Sequence, residues 1–307
     1  MSVRRDRGVA LVLVLWVSVL LTVIASSFIM ERRTETIIVR NSASLARAEA
    51  AADAGVHRGI YDMYRSDNSP ERWKRDGSVQ EWSFDSIPVR VELRDESAKI
   101  DINTASDPLL RGLLLSSGLN EQDAAKLLDA ILDWRDPDSL KRPNGAEEPD
   151  YRDAGLTYKP ANSAFQAIEE LQLVLGMRPD LYRRLAPSIT VFSRQPGVNP
   201  QIATREVLLA IPGLTPEIVD RYVAERDEAR RQGLPLPALP QAGGVASGNS
   251  MVASIRSEAR LDDGTLFVRE AVALLRPVPR KAVTFVSWRE STAGPVIAAT
   301  PNAEAPR

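Results

Sequence analysis

From Val9 to Met30 the chain carries 22 residues without a charge. At 1.5 Å rise per residue, a helix of that length spans roughly 33 Å, close to the roughly 30 Å hydrocarbon core of a bilayer. A helical period continues beyond it. Leu45, Ala48, Ala52, Val56, Ile60 and Met63 recur at steps of three and four and line one helical face. An alanine-rich stretch from Ala43 to Ala54 supports the helix, and RSDNSPERW (65–73) ends it through Asn, Ser and Pro. The period then changes to two. Val89, Val91 and Leu93 alternate with Arg90, Glu92 and Arg94, and Lys99 to Ile102 alternates again. Strand patterns return at 251–261, 265–275 and 281–288, the first two joined by LDDGT, whose Asp-Gly has hairpin turn chemistry.

Between these strand groups, 103 to about 235 reads helical. That order predicts an α+β fold: a long N-terminal helix on an antiparallel sheet, with a large inserted all-α domain. LPLPALPQAGGVASGNS (234–250) supplies a linker, assigned to 236–250, that returns the chain to its strands at 251–290. The tail, 291–307, reads as disordered.

Composition removes several chemistries. Among 307 residues there is no cysteine and one histidine, His57. Disulfides, Cys-based zinc sites, Cys nucleophiles and His-pair metal sites are thereby excluded. His57 falls on the N-terminal helix with no nucleophile to pair with, and reads as a packing or surface residue. A net charge of −2 gives no basic field for nucleic acid. No Gly-x-Ser-x-Gly elbow, Walker loop or zinc-protease helix appears, so no enzyme is expected.

The helical middle repeats itself. IDINTASDPLLRGLLLSSGLNEQDAAKLLDAILDWRD (100–136) resembles GVNPQIATREVLLAIPGLTPEIVDRYVAERDEA (197–229). Each runs from Asn-x-x through Leu-Leu and a Gly-Leu turn to a second helix closing in Arg-Asp. Asn120 and Thr215 stand as N-caps of the second helices. The pattern is similar to DNA-binding helix-hairpin-helix and SAM-like repeats, but Asn120 and Thr215 occupy the place of that hairpin's second glycine. Residues 101–142 hold eight acids against five bases, and 199–233 six against five. Phosphate binding wants the opposite sign, so the repeats read as protein-packing units and nucleic acid is not expected as a partner.

Between the repeats lies an acidic loop, 133–162, with seven carboxylates from Asp133 to Asp153. Its prolines and Asn144-Gly145 forbid a continuous helix. Calcium takes six to eight oxygens on such loops. Asp136-x-Asp138, Asn144-Gly145 and Glu147-Glu148 offer that chemistry without EF-hand spacing; the alternative is a solvated loop with Arg135, Lys141, Arg142 and Arg152 as surface partners.

The N-terminus allows three readings. Arg4, Arg5 and Arg7 against Asp6 put residues 1–8 in the cytoplasm and the bulk of the chain outside. A cleaved secretory signal would carry a shorter apolar stretch of about 7–15 residues, although Ala25-Ser26-Ser27 mimics its cleavage site. A plain anchor fits the length. The third reading rests on Arg7-Gly8 before an unbroken apolar helix, which resembles the leader of type IV pilins and type II secretion pseudopilins. That resemblance implies cleavage by prepilin peptidase between Gly8 and Val9 and N-methylation of Val9. At the fifth mature position, where most members carry Glu, stands Leu13.

Together with DESAKIDINTA (95–105), LLDAILDWRDPDS (127–139) and VFSRQPGVNP (191–200), this leader makes the chain similar to the general secretion pathway protein K family over roughly residues 4–290. The family lacks the fifth-position Glu. The resemblance implies a pilin-like head and a minor pseudopilin of type II secretion at the pseudopilus tip. Such a subunit joins minor pseudopilins I and J, and initiates or caps assembly for export of folded proteins across the outer membrane. It also implies a single-pass bacterial inner-membrane protein with a cytoplasmic N-terminus and a periplasmic domain. The expected division is leader 1–8, transmembrane helix 9–30, helix continuation and first strands 31–102, and inserted domain 103–235. The resemblance places structural calcium in the acidic loop, with Asp136, Asp138, Glu147, Glu148, Asp150 and Asn162 matching by type and place. The rivals are a type IV pilus minor pilin and a membrane-anchored DNA-binding protein with helix-hairpin-helix repeats.

Overall fold

A computed structural model describes residues 7–65, 69, 71–239, 243–246, 248–275 and 283–291, with side chains described at 11–27 and from 35 onward within these. Residues 1–6 of the leader and 292–307 of the tail lie outside them, as does part of the linker.

Helix α1 (Arg7–Tyr64) has 58 residues. Its first half shows apolar side chains that are 47–73% exposed from Leu11 to Ile24. Its second half packs on the sheet through Ala48, Ala51, Ala52 and Val56, all fully buried, with Ile60 and Met63 partly buried beside them. Leu45, placed on the same stripe by its spacing, is half exposed. Small residues set the approach of helix to sheet. A Cβ on Gly55 would lie 2.2 Å from Ser257 Oγ and 2.8 Å from Val89, and one on Gly59 2.7 Å from Leu93. Among the described residues no helix is long and apolar enough to cross a membrane; the expected span 9–30 extends on both sides past the side chains described there, 11–27.

Five antiparallel strands lie under α1 in the order β1-β2-β5-β6-β7. They are β1 (Asp76–Phe84), β2 (Ile87–Asp95), β5 (Val252–Arg260), β6 (Leu266–Leu274) and β7 (Thr284–Ser291). Gly264, at φ +87°, makes the predicted β5–β6 turn, and Asp263 accepts from the Thr265 N–H there while Ser44 of α1 donates to it at 2.6 Å. The register slips between Val272 and Ala273, which pairs Ser287 and Phe285 with them and leaves Val286 over as a bulge. That brings Phe285 and Trp288, three residues apart, onto one side, their rings 4.8 Å apart. His57 packs there, 6.0 Å from Phe285 and 5.9 Å from Trp288, as a packing residue.

Between the paired neighbours β2 and β5 the chain makes its excursion. The alternation at 99–102, assigned above to the head's first strands, yields only β3 (Ile100–Asp101), which pairs in parallel with β4 (Ile189–Thr190) inside the insertion. The insertion therefore begins at the 3-10 turn Glu96–Ala98, not at 103. It holds two helical hairpins, α2 (Asp107–Ser116) with α3 (Glu121–Arg135), and α6 (Arg205–Leu209) with α7 (Pro216–Gln232), and between them α4 (Glu148–Asp153) and α5 (Pro179–Leu185). The hairpin glycines Gly118 and Gly213 sit at φ +95° and +87°. The two hairpins meet where Gly112 lies against the Ala210 carbonyl; a Cβ there would be 2.0 Å from the oxygen.

The repeat's closing Arg has a structural reason. Arg135 donates to the carbonyls of Ile102 and Ala105, at 2.5 and 3.4 Å, and Arg226 to those of Pro200 and Ala203, at 3.0 and 2.7 Å. Asp101 accepts from the Asn103 N–H and Asn199 from the Gln201 N–H, so Asp101, rather than Asn103, is the counterpart of Asn199. Asn120 caps α3 by accepting from the Asp123 N–H at 2.9 Å. Thr215 makes no such bond; Pro216 follows it, and its hydroxyl pairs with Glu217.

Candidate metal centre

The acidic loop is built from the end of α3. Asp133 is fully buried within an inward-facing run of that helix, and Asp136 caps it at the point where Pro137 prevents continuation. Asp133 draws the loop back onto the helix. It accepts the N–H of Arg142, 3.3 Å from each carboxylate oxygen, and that of Ala146. Gly145 is required there, because a Cβ would fall 1.9 Å from Asp133 Oδ2. Asn144 fastens the same turn by donating its backbone and side-chain N–H groups to Asp129, both at 3.0 Å.

From the other side Asn162, at φ +47°, donates its side-chain amide to the Asp138 carbonyl at 2.6 Å. Asp138 itself accepts the Leu140 N–H at 2.8 Å. Glu147 is the N-cap residue just before α4 and is 5% exposed. Three oxygens in this neighbourhood are buried and receive no hydrogen bond: Asp136 Oδ1, Glu147 Oε1 and Asn162 Oδ1.

The electrostatics are those of acids crowded together. Burial, then Asp136, pushes the Asp133 carboxyl up; burial, then Asp138, pushes Asp136 up. Glu147 is raised by burial and then by Asp133, Asp136 and Asp138. Arg142 offsets this only partly, with Nε 3.6 Å from Asp133 and 4.0 Å from Asp136.

Of the six residues that the resemblance implied, the structure brings Asp136, Asp138, Glu147 and Asn162 into one neighbourhood. Glu148 and Asp150 are engaged elsewhere. Glu148 is mostly exposed and lies 3.6 Å from Arg152 and 3.5 Å from Lys159. Asp150 pairs with Lys141 at 2.5 Å, which lowers its pKa, and accepts the Glu147 N–H. Asp133, at the centre, was not among the six. Its signal was there to read: one acid between Leu132 and Trp134 on an otherwise apolar helical face. Among the described residues no three His, Cys, Asp or Glu side chains are gathered closely enough to hold a metal ion. The four neighbours therefore offer oxygen chemistry suited to a hard cation, an amide included, but not a closed carboxylate cage.

Comparison with known proteins gives a consistent result. A family model described as type II secretion system (T2SS), protein K, matches residues 91–196. The chain is 27% identical over 246 residues to type II secretion system protein K of Pseudomonas aeruginosa, covering 71% of this chain and 72% of that one. It is 28% identical over 209 residues to the protein of that name from Pectobacterium carotovorum, covering 60% and 62%. Thus it spans less than two thirds of the latter's length. A chain from the crystal structure of the GspK-GspI-GspJ complex of the enterotoxigenic Escherichia coli type 2 secretion system superposes with a TM-score of 0.56 at 15% identity. That match covers 86% of this chain and all of the other, and it supports the mixed helix and antiparallel-sheet fold.

Proposed function

The chain belongs to the type II secretion system protein K family, and from that premise we propose that it is a minor pseudopilin standing at the tip of a pseudopilus. One observation carries this reading. The insertion leaves and rejoins the sheet between adjacent strands and has its own core, larger than that of the head. A second body of that size on every subunit would obstruct close helical packing along a filament; at the end it meets no neighbour above it.

The remaining features follow from that position. The exposed apolar run of α1 is the part that would enter the inner membrane and later pack against neighbouring helices. Prepilin peptidase cuts between Gly8 and Val9, Val9 is then methylated, and the head lies in the periplasm. Leu13 replaces a carboxylate that, unpaired in lipid, would be costly; a subunit with nothing above it needs none. The two hairpins act as helix-hairpin-helix-like packing units. The role is structural, not enzymatic.

Minor pseudopilins I and J are the partners, by analogy with the superposed complex, in which GspK assembles with GspI and GspJ. Co-expression of the full chain with I and J of the same system should yield a ternary complex on purification. Failure of the three to co-purify overturns the assignment. Gly8→Ala should block processing; full processing would sink the cleavage claim.

Asp136, Asp138, Glu147 and Asn162, whose acids do not lie close enough together here to hold a metal ion, would draw in around calcium, which would supply positive charge to buried oxygens that lack a donor and to carboxyls that repel one another. At a hundredfold excess over Kd, calcium should raise stability by about 2.7 kcal/mol. Equal melting temperatures with calcium and with chelator would show that no such site exists.

A further inference from the structure

The insertion's departure and return converge on one buried carboxylate. Asp95 ends β2 and is fully buried. Its Oδ1 accepts the N–H of Ser97, on the departing chain, at 2.9 Å. The same oxygen accepts the N–H of Ser250, on the returning chain, at 2.8 Å. A third segment closes the junction. Arg75, just before β1, brings Nη1 to 3.0 Å from Asp95 Oδ2 and to 3.1 Å from the Ser250 carbonyl, while the Asp95 N–H donates to the Arg75 carbonyl at 3.0 Å.

Two more buried acids extend this seam. Glu96 accepts from the Thr190 hydroxyl of β4 and pairs with Lys99 at 2.8 Å. Asp101 accepts the Arg194 N–H at 2.7 Å. Both are 1% exposed. Buried charge of this kind is weak evidence for stability but can fix one geometry among several. Backbone bonds of Val198 to Gly244 and Ala246, and of Asn199 to Ser97, tie the departing and returning chains to the insertion itself; the Asp95 carboxylate, bonded to both ends of the excursion, ties them to the sheet.

We propose that Asp95 is the residue that sets the orientation of the insertion, pinning its departing and returning chains so that it stands as a rigid extension of the head. The exposed bridge from Arg289 to Glu169, at 2.9 Å, touches the insertion from the far end of the sheet and is accessory. The pin stands on its own geometry and rests on the tip reading only for its use, which is to present a cap of fixed shape.

The absence of cysteine gives a clean test. Thiols introduced as Glu81→Cys on β1 and Gln122→Cys on α3, both exposed positions, carry spin labels in the full chain. The parent should give one narrow distance distribution. Asp95→Ala should broaden it, and Asp95→Asn, whose amide oxygen can still accept both N–H groups, should restore most of the sharpness. Glu169→Ala should leave the width unchanged. A folded Asp95→Ala chain with the parent's width overturns the proposal, as does an Asp95→Asn chain as broad as the alanine variant.

If Asp95→Ala does not fold, hydrogen exchange on the parent decides. The Ser97 and Ser250 amides should open only with global unfolding, and in Asp95→Asn exchange no more than roughly fivefold to tenfold faster, the factor for weakening one hydrogen bond. Exchange of those amides in the parent at the rate of open linker residues overturns the pin. Co-purification with I and J is scored on the same preparations. A parent that forms no complex with them overturns the tip reading, while the distances still judge the pin.

Discussion

In the head, Gly55 and Gly59 let α1 settle so close to the sheet that a single Cβ at Gly55 would meet Ser257 Oγ at 2.2 Å. In the insertion, Arg226, 6% exposed, reaches from the last turns of α7 to hold the carbonyls of Pro200 and Ala203. The seam of α1 on the sheet is a closeness of apolar surfaces, although Arg72 holds the Asp62 and Met63 carbonyls at the end of that helix; in the insertion, polar side chains satisfy loop backbone within each hairpin repeat. An apolar seam yields gradually when a methyl group is added, because side chains can shift. A buried carbonyl whose donor is removed has no graded alternative.

The largest expected effect follows from that asymmetry. Arg226→Met keeps most of the side chain's bulk and leaves two carbonyls without their donor. It should cost about 3 kcal/mol, taking each orphan at the lower half of its usual range. Arg135→Met, the same change in the other repeat, should cost less, about 1–2 kcal/mol, because its second bond is long at 3.4 Å. Denaturant unfolding of the two variants measures both. Equal and small losses would show that the arginines do not clasp the loops.

A pair of glycines sharpens the comparison at a smaller scale. At Gly112 the obstacle to a Cβ is the Ala210 carbonyl oxygen, part of a backbone that cannot rotate away, whereas at Gly55 it is side chains. Both lie in helices, so alanine gains about 1 kcal/mol of propensity at each. Gly112→Ala should nonetheless be destabilising by about 2 kcal/mol net, and Gly55→Ala by less than about 1 kcal/mol. If Gly55→Ala proves the more damaging, the head is as rigid as the insertion.

What the sequence made legible follows the same division. The stripe Ala48, Ala52, Val56 and the alternation in β2 were visible because burial on one face repeats with the period of the element. β1 was not visible. Its residues alternate only weakly between half-buried and exposed, and its turn uses Asp85 and Ser86, at φ +47° and +65°, in place of the Asn-Gly or Asp-Gly that marks a hairpin. The repeat is evident from its Gly-Leu turns and closing Arg-Asp, but alignment on Asn103 falls two residues late, since Asp101 and Asn199 do the same work with different side chains. In the acidic loop, residue type marks a segment and not the individual side chains within it. It could not separate Glu147, whose oxygen is buried without a donor, from Glu148, which faces solvent and two bases. That choice is made by how Asp133 and Gly145 fold the loop back, a contact twelve residues apart in sequence.

The smallest effect concerns charge, where the two regions should answer pH with opposite sign. Asp263, on the β5–β6 turn, has its carboxyl pulled down to about 2, first by the Ser44 hydroxyl of α1 and then by the Thr265 N–H. An acid with a lowered pKa stabilises the folded chain above its unfolded value of about 3.9, and that contribution is lost as pH falls toward the folded value. Asp263→Asn should therefore melt slightly below the parent at pH 6, and the difference should shrink as pH falls through the folded value and be gone only below it. In the acidic loop Asp133, Asp136 and Glu147 are shifted upward by burial and by one another. For these the folded state holds its protons longer than the unfolded chain does. Their unfavourable ionisation sets in as pH rises past about 4, and without calcium it should cost the insertion stability between there and neutrality. Melting of the chelator-treated chain from pH 4 to 7, with and without Asp133→Asn, tests this. A loop whose stability rises with pH as the Asp263 contact does would remove the electrostatic difference between the two regions and leave only the mechanical one.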